Sequence, residues 1–96
     1  MLKWLWRFFR KKEPPPKKKL DRELLTQTAV RCVVHVAASG RYIGADKWGE
    51  IDACAEAMKM FVTALQDEYE LSKGNLTMAH KVIHQHKWMI LTGRFI

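Results

Sequence analysis

The chain has 96 residues and a formal net charge of +7, so it can form one small domain with a strongly basic balance. No apolar run approaches the roughly 18 residues that a membrane-spanning helix needs. The two cysteines, Cys32 and Cys54, lack CxxC or zinc-finger spacing, which predicts free thiols in a reducing setting. These features argue against a spanning protein, a zinc finger and a disulfide-rich scaffold.

The net positive charge is confined to the start of the chain. Residues 1–19 contain eight basic residues and a single acid, Glu13, whereas residues 20–96 contain nine residues of each sign. A basic arm on a neutral body predicts an anionic partner for the arm, either lipid headgroups or nucleic acid.

Residues 1–12 are predicted to form an amphipathic helix, because at 100° per residue the apolar side chains fall on one side and most basic side chains on the other. The aromatic residues of the apolar side are Trp4, Trp6, Phe8 and Phe9, and the basic residues are Lys3, Arg7, Arg10, Lys11 and Lys12. Tryptophan prefers the headgroup boundary, while lysine and arginine attract anionic lipid. The pattern therefore predicts a helix that lies on an anionic membrane surface.

Residues 13–19 are predicted to be a spacer between the arm and the body. The run Pro14–Pro16 cannot continue a helix and favours an extended backbone. Lys17, Lys18 and Lys19 follow it, and we expect them to assist the arm in binding the membrane.

Residues 20–39 fit two secondary structures. As a helix, Gln27, Arg31, His35 and Ser39 form a polar stripe, and Gly40 follows as a stop. As a strand, residues 28–37 alternate between apolar and polar side chains and are rich in β-branched residues, which would make the fold α+β. We favour the helix because the neighbouring segments have helical patterns.

Residues 48–72 are predicted to form a long helix that begins after the capping residue Asp46. An apolar seam with strict 3-4 spacing runs along it through Trp48, Ile51, Ala55, Met58, Val62, Leu65 and Tyr69. A second seam contains Cys54, Ala57, Phe61 and Ala64. Two seams favour burial within one bundle, although a 3-4 seam is also compatible with helix–helix dimerisation. We therefore expect Trp48, Ile51, Met58, Val62 and Leu65 in the core.

Residues 76–92 are predicted to form a third helix, which begins after a break at Gly74 and a cap at Asn75 and ends at Gly93. Val82 and Ile83 should face the core. The predicted fold of residues 20–96 is thus all-α, a small antiparallel three-helix bundle that follows the amphipathic arm and the proline-rich spacer.

Catalytic and metal-binding patterns are weak. His80 and His84 lie one helical turn apart, a spacing that can hold two metal ligands, but a third ligand would have to come from another element, such as His35 or Glu68. We interpret them as a solvated helix edge and predict neither a metal nor another cofactor. The chain has no glycine-rich phosphate loop and no GxSxG motif, and we predict that it is not an enzyme.

The order of the parts resembles that of the rhabdovirus matrix proteins, with a basic start, a proline cluster and then a small domain. The resemblance implies binding to a membrane and to other virion components. The proline cluster here reads PPPK and lacks the tyrosine of a PPxY budding motif. A small viral matrix-like protein is accordingly one alternative function.

The preferred interpretation is a non-enzymatic adaptor, cytoplasmic and peripheral on the inner face of a membrane. The arm would bind anionic lipid, and the helical body would bind a protein partner or form a homo-oligomer. The other alternative is a nucleic-acid-binding accessory factor that uses the same basic residues on phosphates.

Overall fold

The computed structural model describes residues 16–94, and this part of the chain is mostly helical. Helices contain about 70% of these residues. The elements in chain order are β1 (Lys18–Lys19), α1 (Arg22–Ala38), α2 (Lys47–Leu65), β2 (Tyr69–Glu70), α3 (Lys73–Gln85) and α4 (Lys87–Thr92). The predicted arm helix, residues 1–12, lies outside the described residues.

The segment that fitted two secondary structures is a helix, so the strand alternative for residues 28–37 is wrong. The Asp21 carboxylate accepts a hydrogen bond from the Leu24 backbone N–H at 2.7 Å and caps the start of α1. Gly40 follows the helix with φ +70°, which few other residues adopt. Burial of one α1 face outweighs the weak helix propensity of its valines. That face contains Leu25, Ala29, Cys32, Val33, Val36 and Ala37.

Helix α2 begins as predicted, because the Asp46 carboxylate accepts a hydrogen bond from the Gly49 backbone N–H at 2.9 Å. It ends at Leu65 rather than at residue 72, which corrects the prediction. Asp67 and Glu68 lie just beyond the cap residue Gln66, and acidic side chains are unfavourable at the negative end of a helix dipole. The chain instead turns and enters β2.

The two short strands join the start of the described chain to the connection between α2 and α3. Lys18 pairs with Tyr69 and Lys19 with Glu70 in parallel register, and the Lys18 backbone N–H donates to the Glu68 carbonyl at 3.0 Å. Two residues that the sequence analysis assigned to the spacer are thus hydrogen-bonded to the body.

The third helical segment starts earlier than predicted and is interrupted. The Ser72 hydroxyl accepts a hydrogen bond from the Asn75 backbone N–H at 3.1 Å, so Ser72 is the cap and Gly74 and Asn75 lie in the first turn of α3. The regular helix stops at His86, whose φ is −108°, and the short helix α4 continues from Lys87. Gly93 ends α4 with φ +70°, as expected of a stop.

The helical segments run up, down and up. At one end of the domain, the Gly44 backbone N–H in the connection between α1 and α2 donates to the Leu91 carbonyl of α4 at 2.9 Å. At the other end, Lys18 beside the start of α1 pairs with the residues between α2 and α3. The described residues therefore form a small helical bundle in which α1 contacts the other three helices.

The core lies where α1, α2 and the α3–α4 segment meet. Its largest fully buried side chains are Leu25, Val33, Phe61, Ile83 and Ile90. Two predicted core residues, Leu65 and Ile83, are buried, whereas Met58, Val62 and Val82 are half-buried.

The prediction was wrong for the first residues of the 3-4 seam, because Trp48 is 76% exposed and Ile51 is 53% exposed. The buried face of α2 instead follows Ala53, Ala57 and Phe61. Alanine side chains permit close helix packing, and burial of this face leaves the start of the 3-4 seam directed toward solvent.

Candidate functional site

An apolar stripe on α2 is open to solvent along much of its length. It consists of Trp48, Ile51, Ala55, Met58 and Val62, and we refer to it as the α2 stripe. The first three residues are exposed, and Met58 and Val62 are half-buried. Contiguous exposed apolar side chains that include a tryptophan are typical of an interaction surface. The seam that the sequence analysis placed in the core is therefore the leading candidate surface of the body.

A groove of about 580 Å³ follows one flank of the α2 stripe and separates α2 from α3 and α4. Its apolar lining comes from α2 and contains Ile51, Cys54, Ala55 and Met58. Its polar lining contains Lys47, Glu50, His80, His84 and Lys87. The groove thus has an apolar floor on one helix and a rim of polar, mainly basic, residues.

Glu50 is the acidic residue of this rim, and it forms an ion pair with Lys87. The Lys87 ammonium donates to Glu50 Oε1. This hydrogen bond lowers the pKa of Glu50, and the positive charges of Lys87 and Lys47 act in the same direction. Glu50 is ionised at neutral pH and offsets Lys87, so Lys47 leaves the rim with a positive balance.

The two cysteines are buried and free. Burial is the main cause that raises the pKa of both thiols, and for Cys54 the negative charge of Glu50 adds to this effect. Both cysteines therefore stay protonated at neutral pH, and a protonated thiol is a poor nucleophile. Cys54 contributes to the floor of the groove as a small apolar residue.

The histidine pair lies on the α3 side of the groove. The His80 and His84 rings are 5.4 Å apart between centroids and meet edge to face. Among residues 16–94, no three His, Cys, Asp or Glu side chains lie close enough together to hold a metal ion.

We expect zinc titration to reveal no tight, stoichiometric site, because two imidazoles supply only half of a tetrahedral zinc shell. Isothermal titration calorimetry of the full-length protein would measure this. Submicromolar binding that disappears in His80→Ala would contradict the expectation and make the histidine edge a metal site.

The residues predicted to bind a membrane fall into two groups. Trp4, Trp6, Phe8 and Phe9, together with Lys3, Arg7, Arg10, Lys11 and Lys12, lie outside the described residues. Lys17, Lys18 and Lys19 are described, and all three are exposed. Lys18 Nζ lies 3.2 Å from Glu68 Oε1 in an exposed ion pair, which contributes little stability in water.

The groove has no signal in the sequence, whereas the α2 stripe has one. The strict 3-4 spacing of the stripe is typical of a seam between two helices. The sequence offers no comparable signal for the pair formed by Glu50 and Lys87, because these residues are far apart in the chain and meet only through tertiary packing.

Comparisons with protein-family models, curated protein sequences and solved structures give no match for this chain. No helix within residues 16–94 combines the length and apolar character required to cross a bilayer. The features of this protein that bear on its function are therefore the charge pattern of the chain and the surfaces of residues 16–94.

Proposed function

We propose that this protein is a non-enzymatic adaptor that associates peripherally with an anionic membrane, on its inner, cytoplasmic face. Residues 1–12 bind lipid, and the helical body binds a protein. The observation that supports the membrane-binding half is the charge distribution, since residues 1–19 carry the whole net charge of +7 and also four aromatic residues.

The two kinds of side chain in the arm act through different forces. Each lysine or arginine near an anionic surface contributes on the order of 1 kcal/mol, and salt weakens this contribution. Trp4, Trp6, Phe8 and Phe9 contribute apolar anchoring that depends little on salt. Lys17, Lys18 and Lys19 follow the arm in the sequence, and their exposed side chains add three positive charges.

The α2 stripe supports the protein-binding half of the proposal. Trp48 is 76% exposed and the neighbouring Ile51 is 53% exposed, so neither side chain is required to fill the core of the bundle. Adjacent exposed apolar side chains of this kind are typical of a binding surface. An adaptor requires two separate binding surfaces, and the arm and the stripe are separate in the sequence and differ in chemistry.

Co-sedimentation of the full-length protein with vesicles tests the membrane-binding half. We expect binding to vesicles that contain phosphatidylserine and much weaker binding to vesicles of phosphatidylcholine alone. A mobility-shift assay with RNA and DNA at the same salt concentration tests the alternative function.

A protein that ignores anionic vesicles but shifts nucleic acid would contradict the proposal and favour the accessory-factor alternative. Nucleic-acid binding through the arm would also show steep salt dependence throughout and little dependence on the aromatic face. If the protein binds neither vesicles nor nucleic acid, the aromatic face of the arm is expected to bind a protein.

A further inference from the structure

We propose that the α2 stripe is the interface of a homodimer in which α2 packs antiparallel against α2 of a second copy. This inference deepens the protein-binding half of the proposed function by naming the partner. It does not depend on membrane binding, because the interface lies entirely on the helical body.

The α2 stripe is symmetric about its own centre. Trp48 and Val62 are equally distant along the helix from Ala55, and Ile51 and Met58 are nearly so. A two-fold axis near Ala55 would therefore place the large side chains of each copy opposite apolar side chains of the other. An isologous interface requires this kind of self-complementary patch.

The residue at the centre of the stripe is small. Ala55 is exposed and also lines the groove. A small side chain at the crossing point allows two helices to approach closely, while the flanking larger residues fill the remaining space. The groove beside the stripe provides room for apolar side chains of the second copy.

Charges on the other flank of the stripe favour the antiparallel arrangement. Asp52 and Lys59 lie on this flank and are exposed, and neither forms an intramolecular ion pair within the described part of the chain. The midpoint between them falls beside Ala55. The two-fold axis therefore brings Asp52 of each copy close to Lys59 of the other, and the interface gains two opposite-charge pairs.

Charge repulsion disfavours binding of the arm to the α2 stripe and the groove beside it. The rim of the groove has a positive balance because of Lys47, and Glu50 is already engaged by Lys87. The arm is itself basic, with five lysine and arginine residues in its first twelve positions. Like charges would meet, whereas a second copy of α2 supplies both signs.

Sedimentation velocity of the full-length protein without lipid tests the inference. The wild-type protein should change from monomer to dimer as its concentration rises. D52K and K59D should each weaken the dimer by about tenfold, because each replaces two attractive pairs with two repulsive pairs. An equimolar mixture of D52K and K59D should dimerise again, because the mixed pair restores opposite charges at both contacts.

The matched control is D67K, which makes the same charge change at an exposed residue in the turn after α2. It should dimerise like the wild-type protein, and circular dichroism should show that all variants are folded.

A wild-type protein that stays monomeric at every concentration would overturn the inference, and the α2 stripe would then be expected to bind a different protein. A dimer that D52K and K59D do not weaken, or that their mixture does not restore, would also overturn it. These outcomes are separate from vesicle binding, so the dimer and the membrane-binding proposal can fail independently.

Discussion

Reversing two charges in the arm is expected to abolish the proposed preference of this protein for anionic vesicles. Arg7→Glu combined with Arg10→Glu changes the charge of the arm by four units, which replaces attraction with repulsion at two positions near the headgroups. Co-sedimentation measured against salt concentration is the assay. The loss should be largest at low ionic strength, where screening is weakest.

Trp4→Ala combined with Trp6→Ala tests the apolar contribution of the same arm. This variant keeps every positive charge but loses two interfacial anchors, so its binding should be weaker than that of the wild-type protein even at high salt. Deletion of residues 1–12 should remove both contributions and release the protein from the vesicles. A deletion variant that binds as well as the wild-type protein would show that the arm is not the membrane-binding element.

Substitution of the most buried large side chain is the second change for which we expect a large effect. Phe61 is completely buried at the centre of the bundle, and Phe61→Ala should lower the free energy of unfolding by roughly 3–5 kcal/mol. A domain of this size has a small free energy of unfolding, so this variant is expected to be partly unfolded. Leu65→Ala, at a residue that is 6% exposed, should cost roughly 2–4 kcal/mol.

Trp48→Ala is the matched control on the same helix. It removes an even larger side chain, but one that is 76% exposed, so the free energy of unfolding of the monomer should change by less than about 1 kcal/mol. Urea unfolding followed by circular dichroism at low protein concentration would measure all three variants. A large loss in Trp48→Ala under these conditions would contradict the exposed position of the stripe.

The contrast between Trp48 and Phe61 shows how much the sequence could predict. Both belong to apolar seams on one helix, and periodicity alone locates the helix and both seams. Which seam is buried depends on where the neighbouring helices approach. The neighbouring helices cover the face that contains Ala53, Ala57 and Phe61, and sequence periodicity does not encode the positions of those neighbours.

The helix boundaries likewise divide into those that local sequence determines and those that depend on contacts between distant parts of the chain. Asp46 caps the start of α2 and Gly93 ends α4 through local backbone geometry, so both roles could be predicted from the sequence. The end of α2 at Leu65 had one local signal, the acidic residues Asp67 and Glu68, but the pairing of Tyr69 and Glu70 with β1 joins distant parts of the chain and could not be predicted. The groove rim could not be predicted for the same reason, since Glu50 and Lys87 meet only after folding.

The pairing of β1 with β2 determines which end of the domain carries the arm. Lys18 is held beside Glu68 and Tyr69, just past the carboxyl end of α2, whereas Trp48 lies near the opposite end of that helix. A lipid-bound arm would tether the domain by this one end. Parallel pairing over two residues is weak on its own, and its opening would lengthen the tether by about 7 Å without disturbing the helical core. The body could then adopt two different heights above a bilayer, with the tryptophan end of the stripe as the part of α2 farthest from the attachment point.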